Sequence, residues 1–226
     1  MLCLTLTLAA VAALIFLYKK IDVLIRKPLL GSLHEKYIFV TGCDSGFGKT
    51  TAKHLDSLGV HVIAGCFTEE GRKNLKEECS SRLNVVHLDI TDIKTIEKAF
   101  EFVKDLIPKD KGLWGLLNNA GTTGSFLGPP SFFTLDDYKE VLNVNLFGMI
   151  EMNRVFLPLI KKARGRFVNT ASIGGRFANP YNPAYAVSKF AVEGYSDVLR
   201  REMRPFKVGV AIIEPAAYHS GFTDVE

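Results

Sequence analysis

Little in this sequence could staple a fold or hold a metal. Its four cysteines, Cys3, Cys43, Cys66 and Cys79, have neither a C-x-x-C spacing nor a histidine cluster beside them. That pattern indicates no zinc site and no disulfide framework, and reduced thiols facing a cytosol-like compartment are expected. Long basic runs are also missing. The net charge of +4 comes from scattered Lys and Arg, with only short knots such as Lys161, Lys162, Arg164 and Arg166. Without a basic stripe interleaved with aromatics, a nucleic-acid partner is not expected. Internal repeats and low-complexity tracts are absent, and nothing after residue 30 marks a second domain.

Charge is missing altogether from Met1 to Tyr18, and Lys19, Lys20, Arg26 and Lys27 follow. An apolar run of this length is about long enough to cross a bilayer as a helix. A cleaved signal peptide would carry charge before the run and a small-residue site after it. A buried core helix would need no basic flank. The favoured reading is a retained membrane anchor at 1–18 and a basic linker at 19–35, the positive flank placing residues 36–226 on the cytosolic side.

What is present is the makeup of one globular α/β domain, with 47% hydrophobic and 23% charged residues among 226. Lys36 to Thr41 reads as a buried strand, and Gly59 closes a helix before a second strand at Val60 to Cys66. Helices are expected near Glu70 to Ser80 and Asp92 to Ile107, with strands near Asn84 to Leu88 and Leu113 to Asn118. Two helical stretches follow, Leu135 to Leu146 and Met149 to Ala163, then a strand at Arg166 to Thr170. A helix over roughly Asn182 to Met203 and a strand at Lys207 to Ile213 complete the pattern. Six strands in strict alternation with helices predict a doubly wound parallel Rossmann sheet.

The stretch from Thr41 to Thr50 lies where the first strand meets a helix, a place where free backbone N–H groups and the helix dipole receive phosphate. Two motifs could claim it. A P-loop needs four residues between its first glycine and Gly-Lys-Thr, and five separate Gly42 from Gly48. The alternative, T-G-x-x-x-G-x-G, matches Thr41, Gly42, Gly46 and Gly48 at every position. In it Gly42 makes the tight turn, Gly46 admits the pyrophosphate and Gly48 lets the helix pack close to the strand.

From Lys36 to about Ser220 the chain resembles the short-chain dehydrogenase/reductase family. Beside the glycine loop stand Asn118-Asn119-Ala120-Gly121, Asn145 in Asn145-Leu146-Phe147-Gly148, Ser172 in Asn169-Thr170-Ala171-Ser172, and Tyr185-Ala186-Val187-Ser188-Lys189, with thirteen positions between Ser172 and Tyr185. The wording of the loop and of Leu113-Trp114-Gly115-Leu116-Leu117 is similar to the branch of membrane-associated retinol and hydroxysteroid dehydrogenases and 3-hydroxybutyrate dehydrogenase. The apolar N-terminus resembles the microsomal members, which implies the endoplasmic reticulum.

The resemblance implies Asn145, Ser172, Tyr185 and Lys189 as catalytic residues. It implies a nicotinamide dinucleotide held by Thr41, Gly42, Ser45, Gly46, Phe47, Gly48, Asp89, Asn118, Ala120, Gly121, Lys189, Pro215 and Ser220. Tyr185 and Lys189, four apart on a helix, share one face. A nearby ammonium would lower the phenol pKa from about 10, so that Tyr185 accepts the alcohol proton while Ser172 steadies the substrate oxygen. Asn145 would position a water in a relay behind Lys189. With Cys66, Phe67, Thr68, Glu69 and Glu70 at the end of the second strand and no Arg there, NAD is favoured over NADP. No metal is expected.

The chain departs from the family pattern in two places. Pro215-Ala216-Ala217-Tyr218-His219-Ser220 stands where Pro-Gly and a Thr are usual, and residues stop at Glu226, where the family continues with a lid and a seventh strand. A C-terminally shortened chain with an unprotected sixth strand is therefore expected. Three functions stay open: an enzyme for an apolar alcohol of steroid or retinol type, a 3-hydroxybutyrate dehydrogenase, and a non-catalytic dinucleotide-binding product. Whether the chain forms homo-oligomers is likewise open.

Overall fold

The structure is a computed structural model that describes residues 13–21 and 32–218. Contacts divide the chain into two units, Met1–Leu33 and His34–Glu226. In the first, residues 13–21 are helical, and the expected anchor otherwise lies outside the described residues. Among the described residues no helix is long and apolar enough to cross a membrane.

The second unit alternates strands and helices: β1 (Tyr37–Thr41), α1 (Gly46–Ser57), β2 (His61–Cys66), α2 (Glu69–Glu78), β3 (Asn84–His87), α3 (Ile93–Leu106), β4 (Gly115–Asn118), α4 (Leu135–Leu142), α5 (Met149–Ala163), β5 (Arg166–Thr170), α6 (Pro183–Met203) and β6 (Gly209–Ile213). The six strands pair in parallel in the order β3-β2-β1-β4-β5-β6. This is the doubly wound Rossmann sheet expected from the alternation, and the order reverses between β1 and β4. Ligands of such sheets bind at the carboxyl ends of the strands beside that reversal.

Period-two alternation sorts the side chains of the central strands. Phe39, Ile63, Leu116 and Phe167 join one core with Ile96 and Val103 of α3, Phe156 and Ile160 of α5, and Leu199 and Met203 of α6. Ile38, Val40, Val62 and Ala64 point the other way and are buried too, as are Ala52 of α1 and Leu75 of α2. Strands covered on both faces read as near-continuous apolar runs, which is why β1 and β2 stand out in the sequence. β6 is the edge strand beyond β5, and its side chains alternate between exposed and partly exposed.

The two helical stretches expected on either side of residue 147 are one continuous rod. Between α4 and α5 the residues Asn143–Gly148 form a π-helical turn, with helical backbone angles at both junctions. Such turns insert one residue into the helical ladder and occur often at functional sites. Here the wide turn carries Asn145 inward, where it is buried.

Beneath the sheet end lies a buried polar network. Asn118 donates through Nδ2 to Asn153 Oδ1 at 2.7 Å and to Asn169 Oδ1 at 2.8 Å, and Asn169 Nδ2 donates to Ser196 Oγ at 2.9 Å. It ties β4, β5, α5 and α6 together. Because buried polar groups are costly unless paired, replacing Asn153 by Leu takes one of its two acceptors from Asn118. Asn153→Leu is expected to cost about 1–3 kcal/mol, read as a lower urea midpoint at unchanged slope.

Candidate active site

A cleft of about 950 Å³ opens at the carboxyl ends of the strands. One wall is the junction of β1 and α1. Gly42 and Gly46 have φ of 68° and 54°. At Gly48 a Cβ would stand 2.0 Å from Gly42 O and 2.6 Å from Asn119 Nδ2, so no larger residue fits. Ser45 caps α1 without using its hydroxyl, and the start of the helix faces the cleft. Thr41 Oγ1 accepts from the N–H groups of Asn119 and Ala120, each at 3.0 Å, and Asn119 Nδ2 returns bonds to the carbonyls of Thr41 and Gly42. The glycine cradle is thereby locked to the segment after β4. Bare backbone, tight turns and a helix start form a site into which the phosphates of a dinucleotide fit.

Asp44, which the sequence reading passed over, joins this wall to the end of β2. Its carboxylate accepts from Phe67 N at 2.9 Å, Thr68 N at 2.8 Å and Thr68 Oγ1 at 2.7 Å. The strand end was expected to have no Arg, yet Arg72 of α2 reaches it, with Nη1 at 3.5 Å from Phe67 O and 2.9 Å from His87 Nδ1. Asp44 lies 23 and 24 residues from the groups it accepts from, and Arg72 lies 15 residues from His87, so neither meeting shows in a linear reading. Asp44 lines the cleft and Arg72 does not. Asp89 lines it as well, its Oδ1 held by Thr91 N and Oγ1.

The opposite wall carries Ser172, Tyr185 and Lys189. Lys189 is 4% exposed and donates from Nζ to Thr170 O at 2.9 Å, lying 5.4 Å from the centre of the Tyr185 ring. Burial holds its pKa down to about 8. Tyr185 was expected to be lowered by this ammonium. In the chain alone burial pushes the phenol up, and the hydrogen bond with Ser172 pulls the other way. Desolvation of a phenolate outweighs a cation whose own bond goes to a carbonyl. Ser172 Oγ accepts from Gly174 N at 3.0 Å and points to Pro215 O at 3.4 Å. Its loop is tied to the end of β6 by Arg176, which donates from Nε to Glu214 Oε1 at 3.0 Å.

Asn145 does not line the cleft. Its Oδ1 accepts from Thr122 N at 2.8 Å, and its Nδ2 donates to Thr122 O and Ser188 Oγ, both at 2.9 Å. A Cβ on Gly121 would meet Asn145 Oδ1 at 3.2 Å and Lys189 Nζ at 3.7 Å, so the three converge. Of the residues named from the sequence, the structure brings Gly42, Ser45, Gly46, Phe47, Asp89, Ala120, Gly121, Ser172, Tyr185, Lys189 and Pro215 to one cleft. Thr41 and Gly48 stand behind it. Asn118 sits in the buried network below and offers the cleft nothing, while Asn119 takes the lining position. Ser220 lies outside the described residues.

The short chain dehydrogenase family model matches residues 36–225. The chain belongs to the short-chain dehydrogenase family. It is 49% identical over 198 residues to human dehydrogenase/reductase SDR family member 9, covering 88% of this chain and 61% of that protein. It is 44% identical over 200 residues to human retinol dehydrogenase 16, covering 88% and 62%, and 43% identical over 213 residues to bovine 17-beta-hydroxysteroid dehydrogenase type 6, covering 94% and 66%. The chain thus spans about three fifths to two thirds of these relatives. Among solved structures, 3-ketoacyl-(acyl-carrier-protein) reductase from Brucella melitensis, complexed with NADH, superposes with a TM-score of 0.79 at 25% identity, covering 84% of this chain and 79% of that one. The fold agrees with the family, and the similarity to these relatives supports its retinol and hydroxysteroid branch.

The buried ammonium sets a pH signature. Unfolded Lys189 would hold its proton to about pH 10.4, whereas in the fold it releases it at about 8. Below pH 8 both states are protonated and the buried charge destabilises fully; between 8 and 10.4 only the unfolded state keeps the proton, so this group makes stability rise with pH. Denaturant titrations of Lys189→Met across that range are expected to lack this rise.

Proposed function

We propose that this chain forms the dinucleotide-binding and catalytic part of an NAD-dependent oxidoreductase that interconverts an apolar alcohol, of steroid or retinol type, with its ketone or aldehyde. The observation that carries the reading is the convergence of Tyr185, Ser172 and buried Lys189 on one wall of a cleft whose other wall is a glycine cradle. The names of the relatives, which include retinol and 17-beta-hydroxysteroid dehydrogenases, support the substrate class.

In this reading the nicotinamide ring, when bound, supplies the hydride acceptor. Tyr185, deprotonated before this step, accepts the alcohol proton as a phenolate and so ends as the neutral phenol. Ser172, already bonded to Tyr185, donates to the alcohol oxygen and steadies negative charge there. Lys189 is charged below about pH 8, and its ammonium beside the phenol ring favours the phenolate that forms when Tyr185 gives its proton to solvent. Asn145 keeps the π-turn, Thr122 and Ser188 in register behind Lys189 and serves the proton path from there.

NAD rather than NADP is supported by Asp44. Its carboxylate lies in the cleft at the end of β2, where a 2′-phosphate would meet like charge, while Arg72 is engaged with His87 outside it. The uncharged run from Met1 to Tyr18 with its basic flank supports attachment to the endoplasmic reticulum membrane, where apolar alcohols concentrate.

The test is NADH formation with retinol, a panel of hydroxysteroids and 3-hydroxybutyrate, in the chain and in a form extended to its relatives' length. Turnover of retinol or a hydroxysteroid is expected; turnover of 3-hydroxybutyrate alone would move the substrate class, and no turnover by either form would end the enzyme reading. Tyr185→Phe is expected to lower kcat about 10²- to 10⁴-fold with little change in dinucleotide affinity. On the same substrate, kcat/KM with NAD should exceed that with NADP; a ratio below one would overturn the role given to Asp44.

A further inference from the structure

The cations that look scattered along the sequence are gathered by the fold. At the amino ends of β1, β4, β5 and β6, opposite the cleft, neighbouring strands are stitched by Trp114 N to Tyr37 O at 2.8 Å, Arg166 N to Trp114 O at 3.0 Å and Gly209 N to Gly165 O at 2.9 Å. The segments entering those strands, residues 34–36, 107–114, 161–166 and 204–208, therefore form one row. They carry nine Lys and Arg against two carboxylates, Glu35 and Asp110.

Aromatic rings sit among these charges. Trp114 lies between Lys36, 5.8 Å from the ring centre, and Arg166, 4.8 Å from it. Lys161 stands 3.5 Å over Phe206, a ring that is 46% exposed. Two of the cations are held at a cost: Arg164 and Lys207 have φ of 48° and 59°, where glycine would be the cheaper residue.

The geometry points to this face as a docking surface for an anionic phospholipid bilayer. Cations with an amphipathic Trp and an exposed Phe among them suit a lipid headgroup layer. The second unit begins at His34, in this same row, and fifteen residues separate it in sequence from the uncharged run Met1 to Tyr18, among them four further cations. Docking here leaves the cleft, at the other ends of the strands, open to the solvent that carries a soluble dinucleotide. The inference shares only the membrane setting with the proposed function and does not depend on turnover.

Trp114 is the chain's single tryptophan, which makes the face its own probe. The full chain is reconstituted into vesicles of phosphatidylcholine with dansyl-labelled lipid, with and without phosphatidylserine, and energy transfer from Trp114 is recorded. Transfer is expected to be high only with phosphatidylserine and to fall in ~1 M salt, where the screening length is about 3 Å. Each cation near an anionic surface contributes about fivefold to the docking equilibrium, so Arg164→Gly with Lys207→Gly should weaken it by roughly twenty-fivefold. Because glycine relieves both left-handed positions, that variant is expected to keep or raise its thermal midpoint, separating lost docking from lost fold.

Equal transfer in the two vesicle types, or transfer indifferent to salt, would refute the lipid surface even if the N-terminal run is firmly inserted, since insertion of an uncharged helix follows neither lipid charge nor salt. A Trp114 fluorescence change on adding duplex or single-stranded DNA, with no transfer to phosphatidylserine vesicles, would assign the face to nucleic acid and refute it equally.

Discussion

The bonds between Thr41 and the Asn119-Ala120 segment govern the rest of the structure. One hydroxyl accepts two backbone N–H groups, and one amide returns two bonds to backbone carbonyls, across a sequence gap of 77 to 79 residues. They close the seam between β1 and β4, where strand order reverses and a crevice must open. With the seam closed, Gly42 can turn against Ala120 and Gly48 against Gly42, and the backbone stays bare where phosphate would lie. Any side chain added at those two glycines would strike backbone, so the crevice and the lock that shapes it are one device.

The far wall depends on a different economy. Lys189 is an ammonium placed where little water reaches it, supported by one carbonyl and poised near neutrality. Such a group destabilises the fold. A buried charge of this kind is retained where a partner in the working complex uses it, and perturbed titration in a cleft is a recognised mark of function. The same desolvation that lowers Lys189 raises Tyr185, so burial drives the two apart. Bringing them into balance falls to whatever occupies the space between the walls.

Much of this was legible in advance because the signals are local. Strand and helix periods, the glycines after β1, and the four-residue spacing of Tyr185 and Lys189 are all properties of short windows, and the observed elements agree with them to within about two residues at most ends. Boundaries moved where capping decided them, as at Thr68 and Asp92, whose side chains accept from Gly71 N and Lys94 N. The π-turn at Asn143–Gly148 escaped, because an extra residue in a helical ladder leaves no trace in hydrophobic period. Asn118 and Asn119 are adjacent and alike in chemistry. Strand alternation alone sends one into the core and the other to the cleft, and the motif does not say which.

By itself, then, the sequence determined the alternation of elements, the parallel sheet they imply and the identity of the groups that carry chemistry, since each is written in neighbouring residues. Tertiary structure alone decided which distant groups meet: that Asp44 guards the end of β2, that Arg72 turns away to His87, that Lys189 is dehydrated, and that scattered cations become one face. The physical reason is the same in every case. Charge and polarity act through space, and only the order of strands in the sheet sets which parts of the chain share it.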